Sequence, residues 1–429
     1  MKILGLDAFE ALDSRGNPTV AAAVITNKGR FCATVPSGAS VGAHEAAELR
    51  DRESRLNGKG VKKAVQNIKG VFSQRLSGQS LASREELDSL LISCDPKKNK
   101  GTLGANAMLA VSIAGSRALA AERGLLLFES FSQSPVLPCP MMNILNGGAH
   151  ANNSLDIQEF MIMPLGARDF RECMDMGMEV YMRLKSLLSQ KGFPTAVGDE
   201  GGFAPSLRTD AEALELICGA VVKAGLSPGK DVALALDAAA SEWLNGESYV
   251  MPKSGRSFSK QELIEYYKKL ITEFPVISIE DGMHEDDFSG FAGLKNSLGI
   301  QIVGDDLFVT NTERIKRGTK SATAVLIKPN QIGTVSEAVR AITLARGSGM
   351  VSIVSHRSGD TEDSFIADLC VGEACGQIKT GAPCRAERTA KYNRLLFIEH
   401  ELGSKAVFAG KYAVKPSKNL TVPRQSYKI

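Results

Sequence analysis

Three carboxylate side chains stand at the ends of short apolar runs in the second half of the chain. Asp237 ends the run VALALD, Glu280 follows VISI, and Asp305 follows QIVG. Carboxylate oxygens gathered around one point suit Mg²⁺ better than a softer metal. Each acid could instead cap a following helix, and the sequence leaves open whether Glu280 or Asp281, and Asp305 or Asp306, points inward. The three run ends together favour a magnesium site.

Two further residues have the chemistry for moving protons. Lys328 ends the apolar run TAVLIK, where burial and nearby cations would lower the pKa of its ammonium and let it act as a base. The alternative is a lysine whose ammonium merely reaches the rim of the fold. Glu200 stands between glycines in GDEGG, where the backbone can turn sharply and hold a carboxyl group near a ligand. The alternative there is a plain acidic turn.

A cluster of polar residues follows two other runs. His356, Arg357 and Ser358 come after one run, and Lys379 lies near the end of the next. These side chains can hold a phosphate through charge-assisted hydrogen bonds. A phosphate site, a metal site, a lysine base and a carboxylic acid together suit proton abstraction α to a carboxylate, followed by loss of a leaving group.

The runs that carry these residues alternate with helical segments from about residue 140 onward. One helix is bounded by a capping box of Thr209 and Glu212 and by Gly225 as its stop. In a (β/α)₈ barrel the ends of such runs converge on one mouth, whereas a doubly wound sheet lines up roughly two or three strands at its switch point. Six runs end in polar residues: VALALD, VISIED, QIVGDD, TAVLIK, VSIVSHR and GQIKTG. This pattern predicts an α/β fold with a (β/α)₈-type barrel.

The N-terminal part of the chain has a different pattern of predicted strands and helices. Residues 2–35 hold three β-rich runs broken by turn residues, which predicts an antiparallel meander. Residues 60–123 are helical in pattern and end in an alanine-rich stretch. Together these segments predict a small α+β domain that precedes the barrel.

Composition excludes several other classes of protein. Lys and Arg number 51 against 48 Asp and Glu, for a net charge of +3, and the chain has no basic stripe interleaved with aromatic residues. This balance argues against nucleic acid as a partner. The eight cysteines form no C-x-x-C pair and are expected to be reduced. No apolar run reaches the length of a membrane span, so we expect a cytoplasmic protein.

Over nearly its whole length the chain resembles the enolases. The resemblance is carried by motifs in one order: DSRGNPTV (13–20), PSGAS (36–40), GANA (104–107), NGGAH (146–150), IQEF (157–160), VGDEGG (197–202), SIED (278–281), GDDL (304–307), KPNQIG (328–333), SHRSG (355–359) and GQIKTG (376–381).

The resemblance implies a capping domain over residues 1–135, a barrel over residues 136–429 and two Mg²⁺ ions per active site. Asp237, Glu280 and Asp305 would hold the first ion. Ser40 would help to bind the second ion, which arrives with the substrate. The implied reaction is the reversible dehydration of 2-phosphoglycerate to phosphoenolpyruvate, a step of glycolysis and gluconeogenesis.

The resemblance also assigns a role to each remaining site residue. Lys328 would be the base that takes the proton α to the carboxylate, and Glu200 the acid that protonates the departing hydroxyl group. A lysine or histidine base, with Mg²⁺ stabilising the ene-diolate, is a known property of the enolase superfamily. The residues that would line the leaving-group side are His150, Gln158 and Glu159. Those that would hold the phosphate and carboxylate of the substrate are His356, Arg357, Ser358 and Lys379.

Several departures from the family pattern concern assembly. The resemblance implies a homodimer, built up to an octamer in some members, but Phe9, Ala21, Phe397 and His400 stand where the family usually has charged residues. Both negatively and positively charged residues of the family pattern are missing, at Ala21 and at Phe9 and Phe397 respectively. Exchanging an ion pair for apolar groups is often neutral or stabilising. We therefore expect a dimer in which apolar contacts from Phe9 and Phe397 replace the missing pairs.

Two alternatives remain at this point. The first is a racemase or cycloisomerase of the enolase superfamily; these usually carry a K-x-K pair on an early barrel strand, where this chain has VGDEGG (197–202). The second is a binding protein that acts at a surface or in a complex. Loss of a catalytic residue would favour the second alternative, and each residue named above is present.

Overall fold

The computed structural model describes residues 1–38, 42–131 and 133–414. Ser40, which was predicted to help bind a second metal ion, lies outside the described residues. The predicted domain boundary between residues 135 and 136 stays a prediction.

The N-terminal sheet has three antiparallel strands in the order β1 (Ile3–Leu12), β2 (Pro18–Thr26) and β3 (Gly29–Thr34). The first turn is held by the Asp13 carboxylate, which accepts hydrogen bonds from the backbone N–H groups of Arg15 and Asn17 at 2.9 and 2.8 Å. The predicted antiparallel meander is therefore confirmed.

Helices cover one face of this sheet. A continuous helical segment consists of α1 (Lys62–Asn67), a π-helical turn (Ile68–Phe72) and α2 (Ser73–Leu76), and it is followed by α3 (Arg84–Cys94) and α4 (Ala105–Glu122). Small residues let α4 approach its neighbours closely. A Cβ added at Gly115 of α4 would lie 2.1 Å from a methyl carbon of Leu87.

The second part of the chain forms a closed barrel of eight strands, as predicted. Alternating helices surround it, and a small three-stranded sheet lies in one connection. The barrel strands are β4 (Cys139–Asn146), β5 (Glu159–Met163), β6 (Ala233–Asp237), β10 (Val276–Glu280), β11 (Gln301–Gly304), β12 (Ala324–Ile327), β13 (Val351–Ser355) and β14 (Gln377–Lys379). The small sheet consists of β7 (Leu244–Asn245), β8 (Ser248–Val250) and β9 (Ser257–Phe258).

The helices of this part are α5 (Phe170–Gln190), α6 (Asp210–Lys223), α7 (Lys260–Glu273), α8 (Phe288–Leu298), α9 (Thr312–Arg317), α10 (Pro329–Ile332), α11 (Val335–Gly347), α12 (Phe365–Gly372) and α13 (Ala386–Leu402). None of the helices in the described ranges has the length and apolar character needed to cross a membrane.

The barrel departs from a uniform repeat at β5. This strand pairs antiparallel with both β4 and β6, and Glu159 lies opposite Asn146 on one side and Asp237 on the other. An antiparallel strand starts where its parallel neighbours end, so its first residue lies at their carboxyl-end mouth. The barrel is therefore of the predicted (β/α)₈ type, with β5 as an antiparallel strand within it.

Helix α6 begins and ends close to the predicted residues. The Thr209 hydroxyl accepts a hydrogen bond from the backbone N–H of Glu212 at 3.2 Å, and Gly225 follows the helix with φ of +77°. The reciprocal half of the predicted capping box is absent, because the Glu212 carboxylate accepts instead from the backbone N–H of Arg208 at 2.7 Å. The two ends were correct, but the capping arrangement differs.

Helices α3 and α4 of the N-terminal part cap a helix of the barrel. The Asp88 carboxylate accepts from the backbone N–H of Ser336 at 2.8 Å, and the Ser112 hydroxyl accepts from the N–H of Val335 at 2.9 Å. These N–H groups belong to the first turn of α11, where a helix has no internal partners for them. The N-terminal part thus completes an element of the barrel.

Candidate active site

The carboxyl ends of the parallel barrel strands surround a polar cavity of about 340 Å³. Segments before and after β5, and residues 42–45 of the N-terminal part, complete its wall. The structure brings almost all predicted site residues to this cavity: His150, Gln158, Glu159, Glu200, Asp237, Asp305, Lys328, His356, Arg357, Ser358 and Lys379 line it, and Glu280 contacts Lys379 beside it.

One group of carboxylates surrounds the Lys379 ammonium. Its Nζ atom lies 2.9 Å from Asp237 Oδ2, 2.8 Å from Glu280 Oε1 and 3.1 Å from Glu159 Oε2. Burial lowers the pKa of Lys379, but Asp237, Glu159 and Glu280 outweigh burial and raise this pKa well above its ordinary value. Lys379 therefore carries the positive charge that balances these buried carboxylates.

Contacts distinguish the roles of Glu280 and Asp281, whereas Asp305 and Asp306 both line the cavity. Glu280 points toward Lys379, whereas the Asp281 carboxylate accepts from the backbone N–H groups of Asp305 and Asp306 at 2.9 and 2.8 Å. Burial and the charge of Asp305 raise the pKa of Asp306 to about 7. Asp281, Asp305 and Asp306 also place one carboxylate oxygen each within 4.8 Å of one another. Asp281 thus fixes the end of β11 in position.

Lys328 contacts Asp305 directly. Burial lowers the pKa of Lys328, but the adjacent Asp305 carboxylate outweighs both burial and the repulsion of Arg357 and Lys379. The net effect raises this pKa above its ordinary value. The expectation of a lowered pKa is therefore wrong for the arrangement in this structure, because the sequence does not reveal that an anion lies against the ammonium group.

A second group of ionisable side chains shares Glu159 with the first and includes His150 and Glu200. His150 Nδ1 is 3.5 Å from Glu159 Oε1 and 3.9 Å from Glu200 Oε1. Burial and the charge of Glu200 raise the pKa of Glu159 well above its ordinary value. Burial also raises the pKa of Glu200, but the nearby His356 and His150 outweigh it and hold this pKa well below the ordinary range. Of these two glutamates, Glu159 therefore holds a proton more readily than Glu200 does in this structure.

The orientation of His356 is set by Arg388, which the sequence-based reasoning did not single out. Arg388 Nη1 lies 2.6 Å from His356 Nδ1, and a guanidinium group can only donate. Nδ1 is therefore the acceptor, so the ring proton is on Nε2, which faces Glu200 Oε1 at 3.5 Å. Burial, with a smaller contribution from Arg388, lowers the pKa of His356 to about 4, so the ring is neutral at pH 7.

Glu200 is also held by amide side chains of β4. Asn143 donates to Glu200 Oε2 at 2.9 Å and to Asn146 Oδ1 at 2.6 Å, and Asn146 donates to the carbonyl oxygen of Gly202 at 3.1 Å. A Cβ at Gly202 would lie 2.9 Å from the Asn143 carbonyl oxygen, so the turn needs glycine there. Two asparagines within the otherwise apolar run MMNILN are the signal that could have found this support.

Arg357 is paired with a residue from the N-terminal part. Glu45 Oε2 lies 3.1 Å from Arg357 Nη1, and Glu45 Oε1 lies 3.2 Å from Nη2. Both side chains are buried. The sequence-based reasoning did not select Glu45, which lies five residues after a segment that it did consider (36–40). The cavity thus has a cationic side formed around Arg357 and a carboxylate-rich side around Lys379.

Comparison with known families decides the relationship of the chain. Residues 3–131 match the family model described as "Enolase, N-terminal domain", and residues 134–417 match the model described as "Enolase, C-terminal TIM barrel domain". The chain belongs to the enolase family. Enolases are lyases, phosphopyruvate hydratases, and this chain is an enzyme of that kind.

Enolases depend on Mg²⁺, and the donor set at the carboxylate-rich side fits that ion. Asp237, Glu280 and Asp305 offer only oxygen atoms, which Mg²⁺ prefers. Glu280 Oε2 is buried and has no hydrogen-bond partner among the described residues. Burial and the charge of Asp237 raise the pKa of Glu280 well above its ordinary value. A divalent cation would relieve this repulsion and satisfy the unpaired oxygen.

Proposed function

We propose that this enolase catalyses the reversible dehydration of 2-phosphoglycerate to phosphoenolpyruvate as a cytoplasmic step of glycolysis and gluconeogenesis. One observation carries the proposal: Lys328 and the group of His150, Glu159 and Glu200 line the same cavity. Buried carboxylates and Arg357 line the wall of that cavity as well. This enzyme would therefore have a base, an acid and an anion site around one substrate.

In the proposed site, Asp237, Glu280 and Asp305 would hold one Mg²⁺ ion, and Ser40 would contribute to a second ion that binds with substrate. The ions supply electrostatic stabilisation of the negative charge that develops when the α-proton is removed. The structural support is the oxygen-only donor set and the unpaired buried oxygen of Glu280.

Lys328 is the proposed base. Its pKa is raised mainly by Asp305, whereas burial, Arg357 and Lys379 all lower it. With Asp305 engaged as a metal ligand, its charge would no longer favour the ammonium form of Lys328, and the groups that lower this pKa would remain. Lys328 can then be neutral and accept the α-proton at Nζ. The lowered pKa of Lys328 that we expect from the sequence would apply to the state in which Asp305 binds the metal ion.

Glu200 is the proposed acid for the departing hydroxyl group. Its carboxyl group is oriented by Asn143 and lies next to His356, and His150 lies near both Glu200 and Glu159. Because Glu159 holds a proton more readily than Glu200 does, we propose that the two glutamates share one acidic proton and that Glu200 delivers it. Gln158, 3.5 Å from Asp237 Oδ2, lines the same side.

The phosphate and carboxylate of the substrate are assigned to the cationic groups of the cavity. Arg357 offers a guanidinium group, which can bind a phosphate through paired N–H donors. Ser358 and His356 are its neighbours in the same segment, and Lys379, at the end of the adjacent strand β14, extends its side chain among the carboxylates. Binding of substrate would exchange the Glu45 contact of Arg357 for a contact with the substrate anion.

We also propose that the enzyme is a homodimer. Two of the aromatic residues that replace family charges are accessible, since Phe9 is 55% exposed and Phe397 is 41% exposed. Leu12, at the end of the same strand as Phe9, is exposed as well. Apolar residues in these positions support a contact that does not depend on ion pairs.

The experiment that tests the reaction separates proton removal from dehydration. Formation of phosphoenolpyruvate is followed by absorbance with and without Mg²⁺, and exchange of the α-proton of 2-phosphoglycerate with solvent is followed by NMR. Lys328→Ala should abolish both processes because the base is lost. Glu200→Gln should retain exchange and block dehydration because the acid acts only when hydroxide leaves.

Asp199→Asn is the matched control for Glu200→Gln, because it makes the same chemical change one residue away on an exposed side chain. It should behave as the wild type. Undiminished exchange in Lys328→Ala would assign the base elsewhere, and equal loss of exchange and dehydration in Glu200→Gln would refute the role of the acid.

A further inference from the structure

A buried glutamine follows Lys328 in the motif KPNQIG and has no role in the reaction described so far. Gln331 lies on the short helix α10 and is 1% exposed. A buried amide must find partners for its oxygen and for its two N–H groups, so its contacts define its orientation.

The amide group of Gln331 contacts two carboxylates and one hydroxyl group. Its Nε2 atom donates to Asp305 Oδ1 at 3.1 Å and lies 3.4 Å from Glu45 Oε1. Its Oε1 atom accepts from the Thr310 hydroxyl at 3.0 Å. Because the other oxygen of Asp305 contacts Lys328, both oxygens of this carboxylate are held and its plane is fixed.

Thr310 connects the same glutamine to the backbone of Lys328. The Lys328 N–H group donates to Thr310 Oγ1 at 2.9 Å. The single hydroxyl proton of Thr310 can then be donated to Gln331 Oε1, which is nearer than the Lys328 carbonyl oxygen at 3.3 Å. Lys328, Thr310, Gln331 and Asp305 thus form a closed ring of contacts.

Gln331 also reaches the Arg357 side of the cavity. Its backbone carbonyl oxygen accepts from the N–H of Ala46 at 2.8 Å, and its side chain lies near the Glu45 carboxylate that pairs with Arg357. The side-chain amide of Gln331 therefore contacts one carboxylate of each ion pair, Asp305 of the Lys328–Asp305 pair and Glu45 of the Glu45–Arg357 pair.

We propose that Gln331 is a positioning residue, which fixes the Asp305 carboxylate relative to Lys328 and relates both groups to the Glu45–Arg357 pair. The proposal rests on the proposed function, since it concerns the same base and metal ligand. Only an amide fits the position, because the group must donate toward two carboxylates and accept from a hydroxyl group. A carboxylate at residue 331 would face two like charges, and an apolar group would leave Asp305 Oδ1 without this donor.

The test measures α-proton exchange, dehydration and KM for 2-phosphoglycerate in Gln331→Met, Thr310→Val and Thr310→Ser. Gln331→Met removes the amide at nearly constant volume, and we expect exchange to slow by about tenfold or more, as for loss of a hydrogen bond to a charged group. KM should stay within about threefold of the wild type, because the substrate itself loses no contact. Thr310→Val should show the same loss, and Thr310→Ser, which keeps the hydroxyl group, should retain the wild-type rate.

Gln301→Met is the matched control, since Gln301 is an equally buried glutamine at the opposite end of the barrel strands, paired with Gln377 at 3.0 Å. It should lower the thermal midpoint without slowing exchange. If Gln331→Met folds poorly, the Thr310→Val and Thr310→Ser pair provides the same readout. Wild-type exchange in Gln331→Met, or equal rates in the two Thr310 variants, would overturn the positioning role alone. A wild-type enzyme that neither exchanges the proton nor dehydrates the substrate would overturn the proposed function and this role with it.

Discussion

Replacing Lys379 by methionine should make the stability of the protein depend on Mg²⁺. The Lys379 ammonium contacts Asp237, Glu280 and Glu159 at 2.8–3.1 Å, and all four side chains are buried. Methionine has a similar length but no charge. The variant therefore keeps the buried carboxylates and loses the cation that balances them.

The size of the effect follows from the cost of an unpaired buried charge. Removing one partner of a buried ion pair costs about 3–5 kcal/mol. A ligand that binds only the folded state at 100 times its dissociation constant contributes about 2.7 kcal/mol. In the variant Mg²⁺ meets the carboxylates without a competing ammonium group, so saturating Mg²⁺ should recover a large part of the loss. In the wild type the same ion should stabilise less, because Lys379 competes for the same oxygens.

The assay is thermal unfolding, followed by circular dichroism with EDTA and with a series of Mg²⁺ concentrations. Lys391→Met is the matched control, because Lys391 is also buried and its Nζ atom lies 3.1 Å from Asp360 Oδ1. The control should lower the unfolding midpoint, but Mg²⁺ should not recover its loss. Equal stability of wild type and Lys379→Met in EDTA would refute the balancing role, and a loss in Lys379→Met that is the same at all Mg²⁺ concentrations would refute the metal site.

Two further predictions concern stability toward acid and assembly. The pKa of His356 is lowered from 6.5 to about 4 in the folded protein, so the unfolded state binds more protons between these values and the free energy of unfolding should fall by about 3 kcal/mol as pH decreases from about 6.5 to 4. Urea unfolding of His356→Asn should show a flatter pH dependence, and an unchanged slope would contradict this assignment. The proposed dimer should persist from low salt to about 1 M NaCl in light scattering, because apolar burial is not screened as exposed ion pairs are. A monomer in both conditions, or dissociation as salt rises, would exclude apolar contacts of Phe9 and Phe397 as the basis of assembly.

Much of the barrel could be predicted because polar residues end the apolar runs. The direction of β5 could not be predicted, because the alternation of side chains identifies a strand but not its orientation. One signal was present in the sequence: Glu159 precedes its apolar run, EFMIM, whereas Asp237 and Lys328 end theirs. An acid that must reach the same mouth from the start of a strand requires that strand to run the opposite way.

The supports of the site were harder to predict because they come from distant parts of the chain. Arg388 and His356 are 32 residues apart, and Asn143 and Glu200 are 57 residues apart. The raised pKa of Lys328 has the same origin, since Asp305 is 23 residues away. Sequence patterns reveal which side chains are placed at strand ends, but not which pairs then touch.

The capping of α11 by Asp88 and Ser112 has a consequence for how the protein is made. During synthesis these two side chains leave the ribosome more than 200 residues before the helix that they cap. A barrel expressed by itself would begin α11 with two N–H groups that lack these acceptors, and water would have to take the place of the protein caps. The two acceptors that the first turn of α11 needs are therefore synthesised well before that helix.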